Sequence, residues 1–534
     1  MELIVISDLH LSGGYDEKTG KYSRNEDFFF DDQFERFLKH LQPPDSSVEN
    51  PTTEKHLIIA GDIFDFLQVD GDKVWELFEV EKKPELDELR KKEMKKKLIK
   101  KKERELYKKW KGAFKNNITK SEKKYGLGTE VDKTKWKLGI IAKGHEKFFT
   151  ALGNFVSEKN CISIITGNHD IELYWPKVQD AIKEEILKYT SGSKANIAKR
   201  IHFYPWFYYD KKYNTYIEHG NQYDSLNSFE YFLCPLLEPK PEEPEPEKPK
   251  LEEPKHKGPL WLPFGSFFVR YFFNKLEVNN PFADNIKPLT KYVEWVWKEH
   301  KWELLKVICH NLPTMYFMFK KRKKFSETER NILDNKNKET FDKCSKDFTL
   351  DLNVVEGIYH LRTLPFTRKR LSKISFFLST ILFVVTIFII FVFLMIRLFI
   401  CEISIWTILS PLGLLIYPVV KWIYRKYIQK DFFEENETKI KEIKQKLGVQ
   451  TIVFGHTHDP EIRKIDEDCW YVNTGTWTTI FSEEERIIRE AKQFAFVRIK
   501  EGGKEPELLR WNDCLEKEER LILFEEKNKN PDKE

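Results

Sequence analysis

The stretch Ile164-Ile165-Thr166-Gly167-Asn168-His169-Asp170 is a short apolar run that ends in a glycine turn carrying an amide, an imidazole and a carboxylate together. Such a run reads as a buried strand delivering polar groups to the rim of a sheet, where α/β proteins place ligands and catalytic residues. Four other stretches repeat the pattern. Leu3-Ile4-Val5-Ile6-Ser7 ends in Asp8-Leu9-His10, and Leu57-Ile58-Ile59-Ala60 ends in Gly61-Asp62-Ile63-Phe64-Asp65. Tyr216-Ile217-Glu218 ends in His219-Gly220-Asn221, and Thr451-Ile452-Val453-Phe454 ends in Gly455-His456-Thr457-His458. Strand ends bearing Asp, Asn and His in this way predict one composite metal centre on an α/β scaffold.

At 534 residues the chain exceeds one ordinary core, so several parts are expected. Its net charge is only +5, while 33% of its residues are charged and gathered in runs, so local patches matter more than the overall balance. The seven cysteines are odd in number and form no C-x-x-C pair, which excludes a zinc ribbon and points to a reducing compartment. No signal peptide is read, because Asp8 falls where its apolar region would lie. The N-terminus is therefore expected in the cytoplasm.

Residues 1–81 read as the first part of the core, two buried strands around a helix with Phe34, Phe37, Leu38 and Leu41 in helical spacing. Residues 82–135 form a lysine-rich helical insertion, and 136–234 return to core patterning. Residues 235–259, dominated by Pro, Glu and Lys, read as a solvated linker. An aromatic-rich helical cap follows over 260–373; Trp and Tyr there suit either packing on the core or an interfacial surface. Ile374 to Ile396 then runs 23 residues without a charge, enough to cross a hydrocarbon core of roughly 30 Å. A second uncharged run, Ile403 to Val420, makes 374–420 a transmembrane hairpin, with Pro411, Gly413 and Pro418 able to kink its second helix. Arg368, Lys369, Arg370 and Lys373 precede it and Lys421, Arg425, Lys426 and Lys430 follow it, which predicts both flanks, and the catalytic domain with them, on the cytoplasmic side. Residues 421–515 supply a linking helix and the last core strands; the charged tail 516–534 is expected to be loose.

Hydrolysing a phosphate ester near neutral pH requires an activated water, neutralised phosphoryl charge and a proton for the leaving group. Two metal ions roughly 3.5 to 4 Å apart meet the first two demands. A mixed set of carboxylate, imidazole and amide ligands suits two divalent ions, Mn foremost, with Fe or Zn as alternatives. On these residues the chain resembles the calcineurin-like metallophosphoesterase superfamily: Asp8-x-His10, Gly61-Asp62-x-x-Asp65, Gly167-Asn168-His169-Asp170, His219-Gly220 and Gly455-His456-x-His458 look like its five motifs in order. The resemblance implies a four-layer α/β/β/α sandwich. It implies further that Asp8, His10 and His458 hold one metal, that Asn168, His219 and His456 hold the other, and that Asp62 bridges them. His169 would protonate the leaving group or stabilise phosphoryl charge, with Asp170 orienting it, and a hydroxide bridging the metals would attack. Taken residue by residue, Asp65 and Asp170 can equally be turn or helix caps, and His202 competes with His219.

The run His219-Gly220-Asn221-Gln222-Tyr223-Asp224 and the late Asn473-Thr474-Gly475-Thr476-Trp477 are similar to the branch of UDP-2,3-diacylglucosamine pyrophosphohydrolases, although that branch carries Arg where this chain has His169 and lacks the helical hairpin. The resemblance implies an enzyme, a membrane-anchored phosphoesterase acting on a monoester, a diester or a lipid-linked pyrophosphate. A nuclease using the lysine-rich insertion is the alternative, which the membrane hairpin disfavours. A non-catalytic scaffold is disfavoured by the complete ligand motifs.

Overall fold

The computed structural model describes residues 1–17, 19–42, 54–69, 85, 88, 96–117, 122, 125–239, 258–274, 325–365, 432–484, 487–502 and 505–521. The fold is α/β with mixed sheets. The chain opens with β1 (Glu2–Ile6), a small hairpin of β2 (Tyr15–Asp16) and β3 (Lys21–Tyr22), helix α1 (Asp31–Leu41) and β4 (Lys55–Ala60). Helices α2 (Lys96–Asn117), α3 (Val131–Gly144) and α4 (Glu146–Ser157) lead to β5 (Cys161–Ile165), then α5 (Pro176–Leu187), α6 (Lys194–Ala198) and β6 (Ile201–Tyr204). Next come β7 (Phe207–Asp210) and β8 (Thr215–Glu218), followed by α7 (Phe264–Phe268), α8 (Glu327–Phe348), α9 (Leu352–Tyr359) and α10 (Phe432–Leu447). The chain then runs through β9 (Thr451–Phe454), β10 (Glu461–Asp466), β11 (Cys469–Asn473), the hairpin of β12 (Thr479–Glu484) and β13 (Ile487–Lys492), β14 (Ala495–Lys500), β15 (Glu507–Asn512) and β16 (Lys517–Arg520).

Seven strands form one sheet in the order β16-β15-β14-β1-β4-β5-β6, and five form a second in the order β10-β11-β9-β8-β7. Strands β1, β4, β5 and β6 run parallel, in register through Val5↔Ile58 and Ile59↔Ile164. In the second sheet β8, β9 and β11 run parallel. Pairing like this directs the carboxyl ends of β1, β4 and β5 to one edge and those of β8 and β9 to another. Strands β7 and β8 form an antiparallel hairpin through Phe207↔Glu218 and Asp210↔Thr215, and the chain passes from the first sheet to the second between Tyr204 and Phe207.

Alternation along the strands sorts the core into faces. Leu3, Val5, Ile58, Ala60 and Ile165 pack with Tyr208, Ile217, Val453 and Val472 of the other sheet, all at most 7% exposed. Their neighbours Ile4, Ile6, Leu57, Ile59 and Ile164 join Phe34, Phe37, Phe148, Phe149 and Ile182 of the helices. Each such side chain fully buried contributes on the order of 1.5–3 kcal/mol. This rigid double layer carries the strand ends.

One expectation meets the structure differently, and another lies outside it. The tail is not loose over Lys517–Arg520, which pairs antiparallel with β15 and sets Glu519 on Arg510 at 2.9 Å and Glu518 beside Arg498. Charged side chains alternate across this edge strand and cover the open side of β15, which a solvated tail would leave unpaired. The segment 374–420 lies outside the described residues, and so does most of the linker. Among the described residues no helix is long and apolar enough to cross a membrane. The expected linking helix is α10, Phe432–Leu447.

Candidate metal centre

Asp8 and His10 follow β1, Asp62 follows β4, Asn168 and His169 follow β5, His219 follows β8, and His456 and His458 follow β9. The two sheets are laced together at these ends. The Gly455 amide donates to the His219 carbonyl at 3.0 Å, His219 Nδ1 donates to the Ala60 carbonyl at 2.9 Å, and the His456 amide donates to Asp8 Oδ2 at 2.9 Å.

Two sets of ligand atoms result. In the first, His458 Nε2 lies 3.1 Å from Asp8 Oδ1 and 3.2 Å from His10 Nε2, with His10 Nε2 3.8 Å from Asp8 Oδ1. In the second, His219 Nε2 lies 3.1 Å from Asp62 Oδ2 and 3.1 Å from Asn168 Oδ1, and His456 brings a ring nitrogen within 4.8 Å of both Asp62 and His219. Asp62 Oδ2 is also 3.9 Å from His10 Nε2, so the same oxygen adjoins both sets. Atoms that share a cation at about 2.0–2.2 Å sit about 3 to 3.5 Å from one another, which is the spacing found here. The donor chemistry fits as well: Asp8 Oδ1 is buried without a hydrogen-bond partner, facing ring nitrogens. An acceptor so placed calls for a cation.

No family model, curated protein or solved structure matches the chain.

Burial grades the centre. The side chains of Asp8, Asp62 and His219 are 0–2% exposed, whereas His169, His456 and His458 are at 11–13% and rim the opening. Burial alone would raise the Asp8 carboxyl, but the His458 and His10 rings overcome it and hold Asp8 well below the usual carboxylate range. Asp62 is depressed in the same way by His219 and His169. Conversely, burial disfavours a charged His219, yet Asp62 lifts it to about 9. His169 is also raised, by Asp65 and then Asp62 against the effect of burial. The rings and the buried carboxylates favour each other's charged forms, and a divalent cation would supply the same positive charge to the carboxylates.

Asp65 caps its own turn and also reaches two of the imidazoles. Its Oδ1 accepts the Leu67 and Gln68 amides at 2.9 and 3.1 Å, and its Oδ2 lies 2.6 Å from His169 Nδ1 and 3.4 Å from His10 Nδ1. Asp170 departs from its expected role. Its oxygens accept the Gly167 amide at 2.7 Å and the Ile63 amide at 2.9 Å, pinning the β5 turn to the β4 loop. Burial and the Asp62 charge push its carboxyl up to about 7. Asp65, not Asp170, therefore orients His169, because Asp170 is committed to the backbone. His202, the competitor of His219, is exposed on β6.

Sequence reasoning missed several supports. Ser7 Oγ bonds Asp8 and lies 2.5 Å from Thr474 Oγ1, and Thr476 Oγ1 donates to the Asp8 carbonyl at 2.7 Å. Asn473 Nδ2 donates to the Gly455 carbonyl at 2.7 Å. Asp224 Oδ2 stands 3.2 Å from His456 Nε2. The turn at 473–476 was visible as a turn, but its attachment to Asp8 is a tertiary fact that no local pattern encodes.

Proposed function

We propose that the chain is a dinuclear-metal-dependent phosphoesterase of the calcineurin-like type, a four-layer α/β/β/α sandwich with helical insertions, anchored to a membrane by a hairpin at 374–420. The observation that carries this reading is Asp62, one buried carboxylate oxygen adjoining an Asp8/His10/His458 set on one side and an Asn168/His219/His456 set on the other. Two divalent ions, Mn foremost, would supply activated water and neutralise charge on the phosphoryl oxygens. The chain itself does the rest. His169 sits at the rim with Nδ1 held by Asp65 and a raised proton affinity, so its Nε2 proton is available to the leaving oxygen. Ring packing against His10, with centroids 4.5 Å apart, fixes that imidazole beside the first set.

The substrate is a phosphate monoester, a diester or a lipid-linked pyrophosphate, the last in keeping with a membrane hairpin on the cytoplasmic side. A nuclease is the second reading, favoured by one feature: Lys100, Lys101, Lys102, Arg104 and Lys108 are all exposed on α2. Binding to nucleic acid through that face would weaken steeply with salt.

The test is hydrolysis of p-nitrophenyl phosphate and bis-p-nitrophenyl phosphate by detergent-extracted protein, with Mn or with chelator, beside Asp62→Asn. Turnover that needs both metal and Asp62 supports the phosphoesterase, and the preferred ester separates monoester from diester chemistry. Full activity in Asp62→Asn overturns the site, and a protein that binds no metal revives a scaffold role.

A further inference from the structure

The two imidazoles of the second ligand set are held by different means. His219 gives Nδ1 to the Ala60 carbonyl, which leaves Nε2 toward Asp62 and Asn168. His456 gives Nε2 to Asp224 at 3.2 Å, in a ring that brings a nitrogen within 4.8 Å of the ligand atoms of Asp62 and His219. Imidazoles that bind metal are commonly fixed by a carboxylate or carbonyl on the opposite nitrogen, which sets the tautomer and the ring angle.

Asp224 is itself immobilised. Its Oδ1 accepts the Leu226 amide at 2.9 Å, and its Oδ2 accepts Asn227 Nδ2 at 2.7 Å as well as the His456 ring. Asn227 in turn is pressed by the segment that returns after the Pro/Glu/Lys linker. The Gly265 amide donates to the Leu226 carbonyl at 2.8 Å, and a Cβ at Gly265 would stand 1.9 Å from Asn227 Oδ1. One residue on, the buried Ser266 hydroxyl donates to the Asn168 carbonyl at 3.1 Å, so the same segment touches a second ligand loop.

We infer that Asp224 is the positioning residue of the second metal site, fixing His456 through Nε2, and that the 258–274 segment sets its geometry through Asn227. The inference rests on the dinuclear reading above. It makes Asp224 selective: its loss should loosen the cation held with Asn168, His219 and His456 and spare the one held by Asp8, His10 and His458.

Asp224→Asn tests this at nearly constant volume. Every group around the carboxylate is a donor, so an Asn amide must turn its NH₂ toward either the Leu226 amide or the Asn227 and His456 nitrogens, whichever way it flips. Full-length protein in detergent, stripped with chelator and then titrated with Mn, is measured by calorimetry and by bound-metal analysis. Wild type should take up two ions. Asp224→Asn and Asp224→Ala should weaken one of them by 10–100-fold, the range for loss of an outer partner of a ligand, with the other unchanged. Gly265→Ala should weaken the same ion by a smaller factor, since the displaced group is the tip of a side chain. If Asp224→Ala fails to fold, as judged by circular dichroism, Asp224→Asn and Gly265→Ala decide. Two ions at wild-type affinity in both variants overturns the inference and leaves the phosphoesterase standing, as does equal weakening of both ions; a wild-type chain that binds no Mn overturns the dinuclear reading and this inference together.

Discussion

Asp8, His10, Asp62, His456 and His458 all adopt positive φ, between 51° and 69°. For residues with a side chain this region costs about 1–2 kcal/mol each, so five such positions at one place store strain that the surroundings must over-determine. The clamps are identifiable. The Asp62 carbonyl accepts the Leu9 and His10 amides, both at 3.0 Å, and the Asp8 carbonyl accepts Thr476 Oγ1 and the Trp477 amide at 2.7 and 3.2 Å. What the sequence made legible at this scale was residue type at a strand end; which carboxylate serves which ring was not, because Asp170 is the sequence neighbour of His169 and only the tertiary fold brings Asp65 to it. That pairing predicts different losses. His169→Ala should lower kcat by about 10²–10⁴-fold while bound metal stays near wild type, as expected for a lost general acid. Asp65→Ala should lower kcat too and also disturb His10, so its Mn affinity should fall where that of His169→Ala does not. Equal metal affinities in the two variants would show that Asp65 serves His169 alone.

At the scale of elements, the turns that carry the candidate ligands are shaped by neighbours from other strands. A Cβ on Gly167, after β5, would lie 2.1 Å from Asp62 Oδ1 and 2.6 Å from the Asp62 amide nitrogen, after β4. Gly167→Ala should therefore displace Asp62 and strip both ions from a protein that still folds; a folded variant retaining two ions by bound-metal analysis would contradict this packing. A second device ties the β1 loop to the α3–α4 junction. His145 is buried with Nδ1 3.0 Å from Asp31 and Nε2 3.3 Å from Glu26, and Glu26 accepts the Gly14 and Phe28 amides at 2.5 and 3.0 Å. Burial opposes the charged ring, but the two carboxylates lift it to about 10. A group raised in the folded state stabilises fully below its unfolded value of about 6.5 and ceases to do so as pH rises through about 10. His145→Gln, which strands the buried Glu26 carboxylate and the partly buried Asp31 carboxylate, should cost about 3 kcal/mol in urea unfolding at pH 6. The gap to wild type should narrow toward pH 10; a gap that is flat with pH would mean that the ring is held neutral.

For the whole molecule, the strand ends were readable because buried parallel strands appear as continuous apolar runs, whereas the switch of sheets between Tyr204 and Phe207 is marked in the sequence only by Pro205 within an otherwise aromatic run. The paired edge at Lys517–Arg520 was hidden, since a charged strand carries no hydrophobic alternation. The described residues on either side of 366–431 lie close together. Helices α9 and α10, on either side of it, belong to one packed unit, with Val355, Ile358, Ile440 and Ile443 all buried in the same core and Lys439 Nζ bonded to the Leu361 carbonyl. The chain thus leaves and re-enters the core at neighbouring points, as a two-pass hairpin with both flanks on one side of a membrane would require. Replacing 366–431 by a short Gly/Ser linker should then release the protein from membranes while keeping Mn uptake and phosphoester turnover within a few-fold of wild type, because no proposed ligand lies in the removed segment. The comparison is carbonate extraction of cell membranes followed by metal and turnover assays on both proteins. A full-length chain that washes off with carbonate would remove the anchor from the proposal, and a deleted chain that loses both ions would mean that the segment contributes to the core rather than to a bilayer.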